Sequence, residues 1–429
     1  MASRKASTAS AEGAINFNGK MIEAGRINNL TPQQELKLKE MWCHVLVANG
    51  SAPESLLDEI TAKSSAASSP TEKKRGMFSM RRASTASTGS TESNIQNART
   101  AFEQALTKIP AEKRSQVLMK MYKADHPDNL MLRFLRARKW VVADALKMLG
   151  EALAWRVDFD VESLTRRGEL GALLDNDDEL LLQFRSKKAY QYGVDKKGRP
   201  IVHVRPNFHD PHAQSEKTME HFTVLIIEQA RLFLEDPVDT AAVIFDLSKF
   251  SLANMDYAAV KFIIKCFEAC YPESLGFILI HKAPWIFQGI WNIIKNWIDP
   301  VVAAKISFTR NHDDMAKFID DKYIPKDLGG TREYEYQYVE PEEDENDAQK
   351  DTETRDKLME EGHQMYREFE KLVLDWIRSD TTEASAAAQA QKNELADNFR
   401  VLYWKMDPYV RGRGVTDRTG VLKNPVLSN

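Results

Sequence analysis

Two short, almost wholly apolar segments with helical patterns between them constrain the fold of this chain most strongly. Residues 242–247 and 276–280 are mainly apolar, as strands buried on both faces of a sheet are. Helical patterns cover about 215–235 and 255–270, and a third short strand follows at 306–308. Strands that alternate with helices predict a mainly parallel sheet with right-handed crossovers.

A hairpin and two helical regions complete the predicted architecture. Residues 190–194 and 200–204 read as strands and flank Asp-Lys-Lys-Gly-Arg, a turn-forming pentapeptide. Residues 95–157 repeat apolar side chains at helical spacing, and so does the chain after residue 357. We therefore predict an α/β protein with an N-terminal all-α lobe, a mainly parallel sheet flanked by helices, and a C-terminal helical extension.

The overall composition excludes several classes of function. A chain of 429 residues with 43% hydrophobic content can form a sizeable core and two or three domains. A net charge of -4 gives no general attraction to nucleic acid or to an anionic membrane. The sequence has no apolar run long enough to span a bilayer and no signal peptide. We expect a cytoplasmic protein whose membrane contact is local.

The three cysteines predict no disulfide and no metal site. Cys266 and Cys270 are spaced one helical turn apart within an apolar pattern, and Cys43 lies in a separate helical segment. Buried, reduced thiols are the expected state for such isolated cysteines in a cytoplasmic protein.

Changes in composition divide the chain into segments. A Ser-, Thr- and Ala-rich stretch cannot bury enough apolar surface to fold, and acidic residues without neighbouring bases are typical of a solvated linker. A helix is expected to start at Thr31-Pro32, a cap residue followed by proline. The predicted segments are a disordered tail (1–30), a helical segment (31–62), a disordered insert (63–93), a helical lobe (94–160), an α/β domain (176–332), an acidic linker (333–356) and C-terminal helices (357–429).

The predicted insert carries a candidate phosphorylation site. Ser84 follows Arg81 and Arg82, which is the pattern that a basophilic kinase recognises. A chance match is the alternative, because such short motifs are common.

The segment 284–305 is the most unusual helix candidate. Its polar residues recur at steps of three and four and form one narrow stripe, while apolar side chains cover an arc wider than one packed face needs. Pro284 and Pro300 bound the helix, which is too short and too polar to span a bilayer. Its three Trp residues favour a site that is apolar on one side and wet on the other. A core helix is the plain alternative.

No motif with an established catalytic mechanism is present. The chain has no G-x-S-x-G, no G-x-x-x-x-G-K-[ST], no H-E-x-x-H and no paired C-x-x-C. His209 and His212 lie in a Pro-flanked loop and His281 follows a strand, so each is interpreted as structural. We expect no enzyme, no cofactor and no metal; an unrecognised active site at the strand ends is the remote alternative.

Several ordered motifs resemble the CRAL-TRIO lipid-binding domain, and more closely the fungal secretory-type phosphatidylinositol transfer proteins. The resemblance covers about 95–332, and both ends of the chain lie outside it. The matching motifs are Arg133-Phe134-Leu135-Arg136-Ala137-Arg138-Lys139, Asp195-Lys196-Lys197-Gly198-Arg199-Pro200, Tyr271-Pro272-Glu273, Ala283-Pro284, Asp299-Pro300-Val301, Lys305-Ile306 and Leu328-Gly329-Gly330. From the residues alone, the basic run at 133–139 is typical of a solvated helix face.

The resemblance implies a lipid cavity with a mobile gate. It implies that Arg138, Lys139 and Lys305 hold the inositol phosphate and that Glu273 accepts hydrogen bonds from the inositol, unless Glu273 and Lys305 form a purely structural ion pair. The implied cavity-lining residues are Ala241, Val243, Phe245, Ile278 and Ile280. The implied gate residues are Trp285, Ile286, Phe287, Ile290, Trp291, Ile294, Trp297 and Ile298.

The sequence departs from relatives that also bind phosphatidylcholine. Their hydroxyl side chains are replaced by Ala241 and Val243, and their ring hydroxyls by residues near Gln191 and Val202. A choline-phosphate site is therefore in doubt, and a neutral lipid such as a sterol precursor is the hypothetical second ligand.

The expected function is non-vesicular transfer of phosphatidylinositol between membranes. The alternative is a regulator that presents lipid to a lipid kinase or senses a neutral ligand. The expected partners are phosphatidylinositol, that neutral lipid and a transient membrane surface, without nucleic acid. We expect a monomer that associates peripherally with the endoplasmic reticulum, endosomes or lipid droplets.

Overall fold

A helical lobe precedes the sheet. The computed structural model describes residues 13–17, 19–67 and 99–426. Thr31 caps the first long helix as predicted, since its side chain accepts from the backbone N–H of Gln34. The helices before the sheet are α1 (Pro32–Ala48), α2 (Ser55–Ala67), α3 (99–106), α4 (Ala111–Tyr122), α5 (Pro127–Ala137), α6 (Val142–Asp158), α7 (Val161–Leu174) and α8 (Asp178–Arg185).

The predicted sheet is confirmed. Five strands lie in the order β3 (Ala189–Val194), β4 (Pro200–Val204), β5 (Ala241–Asp246), β6 (Leu275–His281) and β7 (Ile306–Thr309). The first two form the antiparallel hairpin, and the other neighbouring pairs are parallel. The connecting helices are α9 (Glu216–Ala230), α10 (Tyr257–Lys265), α11 (Phe287–Ile294) and α12 (Pro300–Ala303), and α13 (His312–Met315) follows the sheet.

One face of the sheet packs against a solid layer of side chains, and the other borders a cavity. Side chains alternate along β5, so Ala242 and Ile244 face a packed layer with Met315 and Ile319. Val243 lies on the opposite face with residues of β6, α9 and α11. The second face borders the cavity described below.

Helices after the sheet pack back on the helical lobe. They are α14 (Thr352–Arg378), α15 (Thr382–Val410) and α16 (Val415–Arg418). Phe369 and Trp376 of α14 share one hydrophobic core with Trp42 and Phe134. The buried Lys392 ammonium on α15 lies 2.8 Å from the Asp128 carboxylate at the start of α5. None of the described helices is both long and apolar enough to cross a bilayer.

The predicted disordered tail is wrong for residues 13–17 and 19–30. Strands β1 (Ile15–Phe17) and β2 (Lys20–Ile22) form a hairpin, and Arg26 pairs with the buried Asp239 carboxylate at 2.9 Å. An ion pair with a residue so distant in sequence cannot be read from local periodicity. Helix α2 also continues into the predicted insert, whereas residues 1–12, 18, 68–98 and 427–429, which include the rest of that insert and Ser84, lie outside the described part of the chain.

The acidic linker is more ordered than a solvated linker. Glu345 is mostly buried and pairs with Arg418 at 3.1 Å, while Glu340 pairs with Arg185 at 2.8 Å. Near its start, Tyr336 stacks on Tyr190 of β3 with 4.9 Å between ring centroids. The acidic segment is therefore held along the outer edge of the sheet.

His203 of β4 is buried beside this tyrosine stack. Its ring is parallel to that of Tyr190 at 4.9 Å, and its Nε2 lies 3.1 Å from the Tyr192 carbonyl. Burial lowers the pKa of His203 to about 4, and burial likewise lowers the pKa of His44 in α1 to about 4. Both rings are neutral in the folded protein at neutral pH.

We expect the protein to lose stability between about pH 6.5 and pH 4 because unfolded histidines take up protons there and these two folded ones do not. Each should contribute about 1.4 kcal/mol per pH unit to the fall in unfolding free energy. Urea unfolding at several pH values measures the slope. His203→Gln should reduce it, whereas His212→Gln, at an exposed side chain, should not; an unchanged slope in His203→Gln would contradict the assignment.

Candidate functional site

An apolar cavity lies between the sheet and its covering helices. Its volume is about 260 Å³, and side chains of β4 to β7, α9, α10 and α11 line it. All five residues implied as lining lie on its wall: Ala241, Val243, Phe245, Ile278 and Ile280. The alternation of side chains along the strands places them on one face. Such a space suits the hydrocarbon part of a ligand.

Helix α11 closes one side of the cavity. Phe287, Ile290 and Ile294 recur at steps of three and four and are buried, and Phe287 and Ile294 line the cavity. Trp285 is 88% exposed and Ile293 is 45% exposed on the outside. The helix therefore presents apolar side chains both to the cavity and to solvent.

The covering helix is shorter than the sequence predicted. It ends at Ile294, and a turn leads to the separate helix α12, where the Asp299 carboxylate accepts a hydrogen bond from the backbone N–H of Val301. Trp291 and Ile298 still line the cavity, while Ile286 and Trp297 are half-buried. The proline at 300 marks the start of a new helix rather than the end of the first one.

The covering segment is attached to α10 at its far end. The Trp297 ring lies 4.8 Å from the Lys261 ammonium and 5.7 Å from the Tyr257 ring. The Glu268 carboxylate accepts a 2.7 Å hydrogen bond from the backbone N–H of Asp299. These contacts involve exposed or half-buried side chains, unlike the buried Phe287, Ile290 and Ile294 of α11.

Glu273 and Lys305 lie together at the amino ends of β6 and β7. Their charged atoms are 3.5 Å apart, and their side chains are 17% and 21% exposed. Glu273 has a φ of 52°, in the left-handed region that non-glycine residues seldom occupy. Such backbone strain is concentrated at binding sites and persists only where the surrounding structure maintains it.

Arg138 and Lys139 lie at the end of α5 and are exposed. Neither forms an ion pair with another residue in the described ranges, and Lys139 also has a left-handed φ of 51°. The structure thus pairs Glu273 with Lys305 but leaves Arg138 and Lys139 available at the surface.

Two arginines of the same motif are buried, which corrects the prediction of a solvated basic face. Arg136 pairs with Asp239 at 2.7 Å, and Arg133 donates to the Asp239 backbone carbonyl at 3.1 Å. Burial lowers the pKa of Arg136 to about 10, although the carboxylates of Asp239 and Glu273 oppose that shift. This cluster could not be predicted from local pattern because Asp239 is about 100 residues from the motif, just before β5.

A polar cluster near the carboxyl ends of the parallel strands was not predicted from the sequence. Lys188, His209 and Asp256 line the other end of the same cavity. They come from a turn before β3, a loop after β4 and the first residue before α10.

The described residues contain no cluster of His, Cys, Asp and Glu suited to a metal ion. Cys43, Cys266 and Cys270 are buried and free. Burial raises the pKa of Cys43 to about 12, so this thiol is protonated.

Comparison with known proteins decides the family. The family description "CRAL/TRIO domain" matches residues 184–330, and "CRAL/TRIO, N-terminal domain" matches residues 98–151. Phosphatidylinositol transfer protein CSR1 of Eremothecium gossypii is 39% identical over 93% of this chain and 98% of its own length. The chain belongs to the CRAL-TRIO family. The CRAL-TRIO match includes all five strands of the central sheet and the residues that line the cavity.

Two further comparisons differ in strength. The CRAL-TRIO domain-containing protein C3H8.02 of Schizosaccharomyces pombe is 36% identical over 93% of this chain and 92% of its own length. The crystal structure of Sfh5 covers 52% of this chain and 81% of that one, with 15% identity and a TM-score of 0.37. That second similarity is too low to bear on the site.

Proposed function

We propose that this CRAL-TRIO protein binds phosphatidylinositol in the apolar cavity and exchanges it between membranes. The observation that carries the proposal is an apolar hollow covered by α11, with Trp285 exposed in the turn just before that helix. The name of the relative CSR1, a phosphatidylinositol transfer protein, supports the same ligand.

The headgroup would lie at the edge where Glu273 and Lys305 meet. The Lys305 ammonium is half-buried, so pairing with a phosphodiester does not require its complete desolvation. Glu273 can accept hydrogen bonds from inositol hydroxyls once a ligand phosphate replaces it as the partner of Lys305. Arg138 and Lys139 would supply positive charge from the end of α5.

Exchange, rather than release, is the mechanism that the energetics allow. Two acyl chains contain about 30 methylenes, and exposing each to water costs about 0.8 kcal/mol. The total exceeds about 20 kcal/mol, which thermal motion does not supply. Helix α11 must therefore open against a membrane, where one lipid replaces another in surroundings of similar polarity.

Lys305→Ala should lower phosphatidylinositol transfer between vesicles about tenfold or more, because it removes a charge-assisted bond to the phosphate. Glu273→Lys should also lower transfer. Labelled lipid moving from donor to acceptor vesicles measures the rate. Lys317→Ala, which removes an exposed lysine paired with Asp314, is the matched control. Parental transfer by Lys305→Ala would refute the headgroup assignment.

A lipid-sensing regulator is the second candidate. The cavity wall has Ala241 and Val243 where hydroxyl side chains would be needed for choline phosphate, and the Gln191 amide donates to the Ile226 carbonyl at 3.3 Å. These features favour a neutral second ligand. Mass spectrometry of lipid carried through purification distinguishes the candidates: a single neutral lipid with negligible vesicle transfer would favour the regulator.

A further inference from the structure

Three polar side chains form a chain of hydrogen bonds at the end of the cavity opposite Glu273. The Lys188 ammonium lies 2.9 Å from His209 Nδ1, and His209 Nε2 lies 3.0 Å from the Asp256 carboxylate. All three residues line the cavity. Because β4 to β7 run parallel, this cluster lies near the carboxyl ends of the strands, whereas Glu273 and Lys305 lie near their amino ends.

The donors and acceptors fix the state of the imidazole. An ammonium can only donate, so His209 Nδ1 accepts from Lys188 and the Nε2–H donates to Asp256. Burial lowers the pKa of His209, and the positive charge of Lys188 lowers it further. A neutral imidazole therefore separates the cation from the carboxylate.

Lys188 consequently lacks a direct counterion. It is 5% exposed, and no carboxylate in the described ranges forms a salt bridge with it. Its other near contacts are the Met219 sulfur at 3.5 Å and the Phe222 ring at 5.6 Å. Burial lowers the pKa of Lys188 to about 8, although Asp256 and Asp210 oppose that shift, so most molecules carry the charge at neutral pH. An isolated buried charge is unfavourable until an anion joins it.

We propose that this end of the cavity binds the carboxylate of a single-chain fatty acid, with Lys188 as its cation and the acyl chain along the apolar wall. One donor hydrogen of Lys188 is used on His209 and a second is directed at the Met219 sulfur, a weak acceptor that a singly charged carboxylate can replace. A phosphate monoester carries more charge and needs more donors than this cluster offers. The site uses the same hollow as the proposed phosphatidylinositol function but none of its headgroup residues.

Displacement of a fluorescent fatty acid from the full-length protein tests the site. The parent should bind a long-chain fatty acid at least about tenfold more tightly than its methyl ester, because the ester lacks the charge that pairs with Lys188. Lys188→Met should abolish that preference while leaving methyl ester binding within about twofold. Lys249→Met, at an exposed lysine that follows β5, is the matched control and should bind both as the parent does.

Two further measurements keep the outcome interpretable. Lys188→Arg keeps the charge and should keep the preference for acid over ester. A variant that failed to fold would lose that preference. Lys305→Ala should lower phosphatidylinositol transfer yet keep the preference for acid over ester, so failure of one site is distinguishable from failure of the other. Equal affinity of the parent for acid and ester, or an undiminished preference in Lys188→Met, would overturn the proposal.

Discussion

Replacing Glu228 with alanine should lower the free energy of unfolding by about 3–5 kcal/mol. The Glu228 carboxylate on α9 is 2% exposed and lies 2.7 Å from Arg156 and 3.1 Å from Arg231, and it also pairs with Lys123. The Tyr271 hydroxyl donates to it at 2.7 Å. Alanine would leave several buried positive charges without the carboxylate that compensates them.

The same cluster joins the helical lobe to the lipid-binding domain. Lys123 follows α4 and Arg156 lies on α6, whereas Glu228 belongs to α9 beside the cavity. Burial alone would raise the pKa of Glu228, but the positive charges of Arg156, Lys123 and Arg231 hold it well below its usual range. The carboxylate is therefore ionised at neutral pH, and its loss weakens the contact between the two parts.

Denaturant unfolding followed by circular dichroism measures this prediction. Glu216→Ala, at an exposed carboxylate in the first turn of the same helix, should cost less than about 1 kcal/mol. Adding Lys123→Met to Glu228→Ala should recover part of the loss, because it removes a stranded charge. A Glu228→Ala protein as stable as the parent would show that the cluster is not a major source of stability.

Trp285→Asp should reduce vesicle-to-vesicle lipid transfer at least about tenfold, because burial of an indole in the membrane interface contributes a few kcal/mol and the new charge is repelled by anionic lipids. Trp285 is 88% exposed, so its replacement removes almost no packing. The variant should keep its thermal unfolding midpoint and its bound lipid.

The control for this prediction lies on a different surface. Val401→Asp changes an apolar side chain of α15 that is 44% exposed and should leave transfer unchanged. Vesicle flotation and labelled-lipid transfer report binding and exchange separately. Parental rates from Trp285→Asp would remove α11 from the membrane contact and leave the cavity without a gate.

Features with a short-range pattern were predictable from the sequence. Nearly continuous apolar runs located β5 and β6, and the turn residues at 195–199 located the β3–β4 hairpin. The arc of α11 predicted that this helix contacts more than the core, although the break after Ile294 was missed because no proline or glycine marks it.

Features formed by distant partners were not predictable in this way. Arg133 reaches the backbone of Asp239 across 106 positions of sequence, and Arg26 reaches the same residue from the segment expected to be a disordered tail. Lys188, His209 and Asp256 come from three separate segments, and each alone looks like an ordinary polar residue beside a helix or strand. Only the fold brings such groups together.

Lys305 and Lys188 lie at opposite ends of the strands, and this placement affects which lipid the protein carries. A lipid anchored beside Lys305 and one anchored beside Lys188 would point their tails into the same 260 Å³ of space from opposite directions. The two cargoes should then be mutually exclusive, so the fraction carrying either one would follow the composition of the last bilayer visited.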